Sequence, residues 1–225
     1  MQEAIRETAE GRLNEITSQM SAAAKLARRA PADITLIAVS KTRSIGDIES
    51  LIRAGHRNYG ENRIQEAQTK WPELKALDAD IVLHLIGQLQ SNKAAEAVSL
   101  FDVIHSLDRL SLVTALGKAM REQGRFLPCF IQVNIGAEPQ KGGCAIDGLP
   151  ELLAATQSEQ IPVAGLMCLP PADVEPAPYF ALLAEMAARH GLDGLSMGMS
   201  GDFQTAIMLG ATHIRVGTAL FGERG

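Results

Sequence analysis

Aromatic residues are scarce in this chain of 225 residues, at 4% of the sequence. Hydrophobic residues still make up 46%, mainly as Ala, Leu, Ile and Val. A chain of this length can bury a sizeable core in one large α/β domain. A core of aliphatic side chains suits packed layers of helices and strands better than a β-sandwich. The composition therefore favours an α/β fold.

Cysteine is also rare, and its three positions are widely spaced: Cys129, Cys144 and Cys168. The sequence has neither a Cys-x-x-Cys pair nor a run of Cys and His that would suggest a metal site or a disulfide framework. Cys129 and Cys168 lie in apolar runs and are expected to be small core residues. We assign no catalytic role to any of the three.

Long apolar runs are absent, since none approaches the ~20 residues that a membrane span requires. Acidic and basic residues interrupt the N-terminus from Glu3 to Arg12, so it lacks the hydrophobic region of a signal peptide. The formal net charge of −5 gives no electrostatic reason to expect nucleic acid or an anionic membrane as a partner. We therefore expect a cytoplasmic protein.

The first thirty residues are predicted to form one amphipathic helix. Apolar residues recur there at helical spacing among polar neighbours, from Ile5 to Ala27. Pro31 is expected to end this helix, because proline does not continue one. We expect residues 1–30 to pack as an added helix on the main fold.

After Pro31, short apolar runs alternate with longer helical patterns. The predicted strands are 34–39, 57–59, 81–86, 102–105, 129–133, 163–167, 194–196 and 213–216. The predicted helices are 48–54, 64–77, 92–100, 109–123, 149–160, 178–190 and 203–209. This alternation predicts a parallel sheet that closes into a (β/α)₈ TIM-type barrel. A doubly wound open sheet is the alternative, although no Gly-x-Gly-x-x-Gly follows the first strand.

No linker rich in proline, glycine or serine divides the chain, so residues 1–225 are interpreted as a single barrel domain. Barrels build their sites from the C-terminal ends of strands. Lys41 follows the apolar run of the first strand, where a low-dielectric interior would favour its neutral amine. A neutral amine attacks an aldehyde to form a Schiff base. The alternative is that Lys41 extends from the barrel rim into solvent without a chemical role. Its sequence position alone does not distinguish the two interpretations.

The loops after the last two strands are rich in small residues, at 198–201 and 217–218. Small residues let backbone amides approach an anion, and Ser200 and Thr218 add hydroxyl groups. Barrels often hold phosphate in these two loops. Glycine and serine are equally common in turns and helix caps, so both interpretations stay open.

Arg215 lies inside the last predicted strand. An arginine that faces inward needs an acid, a phosphate or a ring nitrogen as a partner, whereas one that faces outward can extend its charge to solvent. The five histidines, His56, His84, His105, His190 and His213, show no spacing typical of metal ligands. They are interpreted as structural, and no metal is expected.

At these strand ends the sequence resembles the pyridoxal phosphate homeostasis proteins, over nearly the whole chain from residue 34 to 222. Two of the matching motifs are Ser40-Lys41-Thr42 and Tyr59-Gly60-Glu61-Asn62. The others fall at 65–66, 84–87, 89–93, 134–135, 138, 141–143, 165–167, 196–200, 202, 215–219 and 221–222. The sequence departs from the family pattern at Ser44, Leu83 and Gly201, none of which is a proposed ligand.

The resemblance implies a barrel like the cofactor domain of bacterial alanine racemase, without that enzyme's second β-domain. It implies that pyridoxal 5′-phosphate (PLP) is bound at six positions: Lys41, Asn62, Ser200, Arg215, Gly217 and Thr218. Lys41 would form the internal aldimine, and Arg215 would face the pyridine nitrogen, with Asn62 lining the site. Ser200, Gly217 and Thr218 would hold the phosphate. An arginine cannot accept the pyridine proton, so the ring would stay a weak electron sink.

The function implied by the resemblance is that of a monomeric protein which carries or buffers PLP and supports amino-acid and keto-acid homeostasis without robust catalysis. Apo-enzymes that depend on PLP would be its partners. A PLP-dependent racemase is one alternative, although it needs an acid or base opposite the lysine. A Schiff-base aldolase is another, but it does not account for the ordered motifs. Whether Lys93 or Lys141 also holds cofactor in passing stays open.

Overall fold

Eight parallel strands close into a barrel in the computed structural model, which describes residues 8–222. Each strand pairs with its neighbour in sequence, and the last pairs with the first. The strands are β1 (Thr35–Val39), β2 (Asn58–Glu61), β3 (Val82–Leu85), β4 (Val103–Leu107), β5 (Cys129–Val133), β6 (Val163–Cys168), β7 (Gly194–Met199) and β8 (His213–Val216). The predicted (β/α)₈ barrel is confirmed, and the open-sheet alternative is wrong.

Helices precede the barrel and join its strands. They are α1 (Ala9–Leu26), α2 (Ile45–Arg53), α3 (Ile64–Leu77), α4 (Ala94–Leu100), α5 (Leu110–Gln123), α6 (Leu149–Ser158), α7 (Ala177–Arg189), α8 (Phe203–Met208) and α9 (Thr218–Phe221). Short 3₁₀ turns occupy Pro31–Asp33 and Ser91–Lys93. Within residues 8–222, no helix combines the length and the apolar character needed to cross a bilayer.

Alternation along each strand divides the core into two layers. On β5, Cys129 and Ile131 belong to the large cluster between strands and helices. Phe130, between them, belongs instead to a small cluster with Val103 and Met167. We assign this second cluster to the barrel interior because it takes the opposite face of its strands. Polar residues share that interior, and they matter for the site described below.

Cys129 and Cys168 are fully buried, which confirms their expected place in the core. Burial raises the pKa of each thiol to about 12, so neither is a thiolate near neutral pH. Among the described residues, no group of three or more His, Cys, Asp or Glu side chains is arranged to hold a metal ion.

Helix α1 ends earlier than predicted, at Leu26 rather than at Pro31. Arg28 takes the left-handed conformation with φ of 56°, and the N–H groups of Arg28 and Arg29 donate to the carbonyls of Lys25 and Ala24. These two bonds form a Schellman motif, in which an arginine stands where glycine is usual. The helix therefore has its own stop signal before the proline. Ile5, at the start of the predicted helix, lies outside the described residues.

Polar contacts join helix α1 and the residues that follow it to the last part of the chain. Arg12 Nε donates to the Leu220 carbonyl at 2.7 Å, and Arg29 Nη1 donates to the Ala211 carbonyl at 2.8 Å. Helix α1 thereby packs beside α8 and α9, where the last strand meets the first.

Helix α2 begins three residues earlier than the predicted 48–54, at Ile45, because Ser44 caps it. Ser44 Oγ accepts the Asp47 N–H at 3.2 Å, and Asp47 Oδ2 accepts the Ser44 N–H at 3.2 Å. This reciprocal capping box satisfies two amides at the helix start. Ser44, one of the departures from the family pattern, thus defines the end of the loop that carries Lys41.

Candidate functional site

The six positions implied by the resemblance lie at the C-terminal ends of β1, β2, β7 and β8. These strands are contiguous around the barrel, in the order β7-β8-β1-β2. Since all strands run parallel, their C-terminal ends open at one mouth. The positions there are Lys41 after β1, Asn62 after β2, Ser200 after β7, Arg215 within β8, and Gly217 and Thr218 after β8.

Arg215 faces into the barrel and is 4% exposed. Its Nη1 donates to Ser196 Oγ at 2.6 Å, and its Nη2 donates to the Cys168 carbonyl, at the end of β6, at 2.9 Å. Both acceptors are neutral, and no carboxylate of the described residues lies within ion-pair distance of the guanidinium. Burial lowers its pKa below the usual value. A buried guanidinium with donors left over is suited to an electron-rich ligand atom.

The loops after β7 and β8 touch through one bond, from the Gly217 N–H to Ser200 Oγ at 3.4 Å. Asp202 Oδ1 shapes the first of these loops by accepting the Met199 N–H at 2.5 Å. The N–H groups of Thr218 and Ala219, at the start of α9, meet no acceptor among residues 8–222. A hydroxyl beside two unpaired amides is a suitable arrangement for an anion with several oxygens.

Lys41 lies in a turn after β1 and is exposed, rather than held at the edge of the interior as the strand pattern suggested. The turn is closed by a hydrogen bond from the Arg43 N–H to the Ser40 carbonyl at 3.1 Å, and Thr42 adopts a left-handed φ of 61° within it. Its flanking residues are tied down: Ser40 Oγ donates to Glu61 Oε1 at 2.8 Å, and the Thr42 N–H donates to Glu66 Oε1 at 2.5 Å. Lys41 is therefore an accessible amine on a loop that is anchored on both sides.

Glu61 and Lys70 form a buried ion pair behind this loop, which the strand and helix patterns did not reveal. Lys70 Nζ lies 2.8 Å from Glu61 Oε1 and donates to the Ser40 carbonyl at 3.0 Å. Trp71 Nε1 also donates to Glu61 Oε1, at 3.1 Å. Glu61 is fully buried, and its presence in the matching motif was the one signal that could have identified it. This cluster joins the end of β2 to α3 and, through the Ser40 carbonyl, to the start of the turn.

Asn62 lies close to the backbone of Gly87, in the loop after β3. A Cβ atom on Gly87 would stand 2.2 Å from the Asn62 carbonyl oxygen, so only glycine fits there. Asn62, Gln88 and Lys93 line a cavity of about 450 Å³ beside this contact. The glycine in the matching segment 84–87 thus brings two loops of the mouth together.

The amines of Lys93 and Lys141 are already engaged. Lys93 Nζ pairs with Glu96 at 2.6 Å. Lys141 Nζ pairs with Glu138 at 2.6 Å and donates to the Pro170 carbonyl at 2.9 Å. Lys41, by contrast, makes no ion pair or side-chain hydrogen bond within residues 8–222. Of these three lysines, it has the amine most open to a ligand.

The arrangement fits PLP at three separate points. The exposed amine of Lys41 matches the aldehyde, and the unpaired amides beside Ser200 match the phosphate. The buried Arg215, whose bonded partners are both neutral, matches the ring nitrogen. These groups are contributed by the neighbouring strands β7, β8 and β1, whose C-terminal ends open at the same mouth.

Comparison with known proteins identifies the family of this chain. Residues 13–225 match the family described as "Alanine racemase, N-terminal domain". The chain is 39% identical over 215 residues to the pyridoxal phosphate homeostasis protein of Pseudomonas aeruginosa, covering 93% of each chain. It is 37% identical over 222 residues to the protein of the same name from Escherichia coli K12, covering 94% of this chain and 95% of the other.

Solved structures extend the comparison. The structure of PipY from Synechococcus elongatus PCC7942 with PLP bound is 39% identical, with a TM-score of 0.80, and the match covers 92% of this chain and all (100%) of that one. An alanine racemase from Clostridium difficile has a TM-score of 0.71 at 14% identity, and the match covers 97% of this chain but 57% of the racemase. That second likeness shows the shared fold alone. The chain belongs to the pyridoxal phosphate homeostasis protein family, whose barrel is that of the alanine racemase N-terminal domain.

Proposed function

We propose that this protein binds PLP covalently through Lys41 and carries or buffers it for intracellular PLP, amino-acid and keto-acid homeostasis. The observation that carries the proposal is the convergence of a free amine, a buried arginine and a pair of unpaired amides at one barrel mouth. PLP supplies an aldehyde, which condenses with a lysine amine and releases water. The proposed binding residues are Lys41, Asn62, Ser200, Arg215, Gly217 and Thr218.

Arg215 supports a carrier more than a catalyst. Its guanidinium only donates hydrogen bonds, so it would leave the ring nitrogen unprotonated and the ring a weak electron sink. The relatives bear the name pyridoxal phosphate homeostasis protein, which specifies no reaction. We further propose one domain over residues 1–225, a monomeric state, a cytoplasmic location, and apo-enzymes that need PLP as recipients.

Spectrophotometric titration with PLP tests the binding proposal. The protein is expected to develop the visible absorbance of a lysine-bound cofactor, and Lys41→Ala is expected to abolish it. Lys118→Ala is the matched control, because Lys118 is an exposed lysine on α5 away from the mouth. Equal absorbance in the two variants would contradict the role of Lys41.

Incubation of the loaded protein with L-alanine and D-alanine separates carrier from enzyme. A carrier is expected to interconvert them no faster than the same concentration of free PLP. Racemisation far above that background, lost in Lys41→Ala, would favour the racemase alternative instead.

A further inference from the structure

A continuous line of hydrogen bonds runs through the barrel interior behind Arg215. Beyond Ser196 Oγ, which accepts from Arg215, the line passes to His105 Nδ1 at 2.8 Å. His105 Nε2 lies 3.0 Å from His84 Nδ1, and His84 Nε2 lies 3.2 Å from Asn58 Oδ1. Arg215 sits near the C-terminal end of β8, whereas Asn58 is the first residue of β2. The line thus connects the cofactor mouth with the opposite end of the barrel.

The direction of every bond in this line follows from its last member. Asn58 Oδ1 only accepts, so His84 carries its proton on Nε2 and donates it there. A neutral ring carries one proton, so His84 Nδ1 accepts from His105 Nε2, and His105 Nδ1 accepts from the Ser196 hydroxyl. Ser196 Oγ in turn accepts from Arg215, because a guanidinium only donates. All four bonds point away from the arginine.

The line is buried and held in place by packing. Ser196 and His105 are fully buried, and His84 is 2% exposed. His105 stacks on Phe130, with ring centroids 4.5 Å apart and 13° between the planes. Burial lowers the pKa of His84 to about 3 and that of His105 well below its usual value, so both rings are neutral as the bond directions require.

From this geometry we propose that Ser196 is a positioning residue, which, with His105, His84 and Asn58 behind it, aims the Arg215 guanidinium at the ring nitrogen of PLP. Ser196 does not touch the ligand in this account. It supplies the acceptor that fixes Nη1, while the Cys168 carbonyl fixes Nη2. The remaining N–H donors then point in a defined direction. The inference rests on the proposed PLP site.

A ligand pair tests this role: PLP, and its 1-deaza analogue, in which carbon replaces the ring nitrogen. The unsubstituted protein is expected to bind PLP more tightly than the analogue, since only PLP offers an acceptor to Arg215. Ser196→Ala is expected to weaken PLP binding about tenfold, the loss of one hydrogen bond to a charged group, and to leave the analogue nearly unaffected. Ser106→Ala is the matched control, because Ser106 is buried on β4 and its hydroxyl has no hydrogen-bond partner among residues 8–222.

Nitrogen-15 NMR of histidine-labelled, ligand-free protein tests the line without any cofactor. His84 and His105 are both expected to be neutral, with the proton on Nε2. A proton on Nδ1 of His105, or an unchanged preference for PLP over the analogue in Ser196→Ala, would overturn the inference. Failure of the unsubstituted protein to bind PLP would instead contradict the proposed function, and the tautomers would still be measured.

Discussion

The Thr42 backbone N–H donates to Glu66 Oε1 at 2.5 Å, which ties the turn carrying Lys41 to helix α3. Thr42 has a left-handed φ of 61°, a conformation that costs a non-glycine residue of order 1 kcal/mol. Surrounding contacts must therefore hold the turn. Glu66 also pairs with Lys70 at 2.8 Å, so the anchor itself is fixed.

Removal of this anchor is expected to weaken PLP binding without unfolding the protein. Glu66→Ala frees the turn, so Lys41 would become ordered only when PLP binds. Because that ordering costs free energy, the dissociation constant for PLP should rise about fivefold, or about 1 kcal/mol. Absorbance titration measures it. Glu185→Ala is the control, since Glu185 pairs with Arg189 and both side chains are exposed on α7. Equal effects of both variants would show that the anchor has no specific role.

Ser200 is expected to act on the phosphate alone. Ser200→Ala removes a hydroxyl beside the Gly217 N–H, so PLP should bind about tenfold more weakly through loss of one charge-assisted hydrogen bond. Pyridoxal, which lacks the phosphate, should bind equally to both proteins. The measurement is the pair of dissociation constants for each ligand. A parallel loss for pyridoxal would contradict the assignment.

Buried histidines are expected to make stability fall in mild acid. Burial lowers the pKa of His56 to about 4, outweighing its hydrogen bond to the Asn58 carbonyl, whereas an unfolded histidine titrates near ~6.5. Below pH ~6.5 the unfolded chain binds a proton that the folded ring excludes, so the free energy of unfolding decreases by about 1.4 kcal/mol per pH unit for each such ring, down to the folded pKa.

His56→Gln should remove one ring's share of that pH dependence. Denaturant unfolding at pH 7, 6 and 5 would show a shallower decline in the variant. His190→Gln is the control, because His190 is exposed after α7. A decline as steep in His56→Gln as in the unsubstituted protein would contradict the account.

Two helix ends offer a reciprocal test of backbone strain. Arg28 after α1 and Gly124 after α5 both take the left-handed conformation, with φ of 56° and 62°. Arg28→Gly should raise the free energy of unfolding by about 1 kcal/mol, and Gly124→Ala should lower it by about as much. There is room for a side chain at Gly124, since an added Cβ would have no atom of the described residues within 4 Å apart from its immediate chain neighbours. Thermal unfolding of both variants measures the two opposite shifts.

Two strands were predicted to the residue, at Cys129–Val133 and His213–Val216. The second strand was predicted only as 57–59, because Glu61 ends it with a charged residue. That carboxylate is buried through contacts with Ser40, Lys70 and Trp71. Hydrophobic patterning does not detect a buried charge whose compensating partners are distant in the sequence.

The candidate site could be predicted as a set of strand ends, but its hydrogen-bond geometry could not. Lys41 and Ser200 could be singled out because each follows a predicted strand, and Arg215 because it is a charged residue inside one. The sequence does not show that Arg215 donates a hydrogen bond to Ser196, or that His105 lies beside Ser196. Those contacts join residues that are 19 and 91 positions apart, and only barrel closure brings them together.

Borohydride reduction of the PLP-loaded protein, followed by peptide mapping, tests the central claim most directly. Reduction converts the lysine–cofactor bond into a stable secondary amine, so the modified residue can be identified by mass. The account predicts the pyridoxyl group on Lys41 and its loss in Lys41→Ala. Labelling chiefly on Lys93, Lys141 or another lysine, or a protein that takes up no PLP, would contradict it.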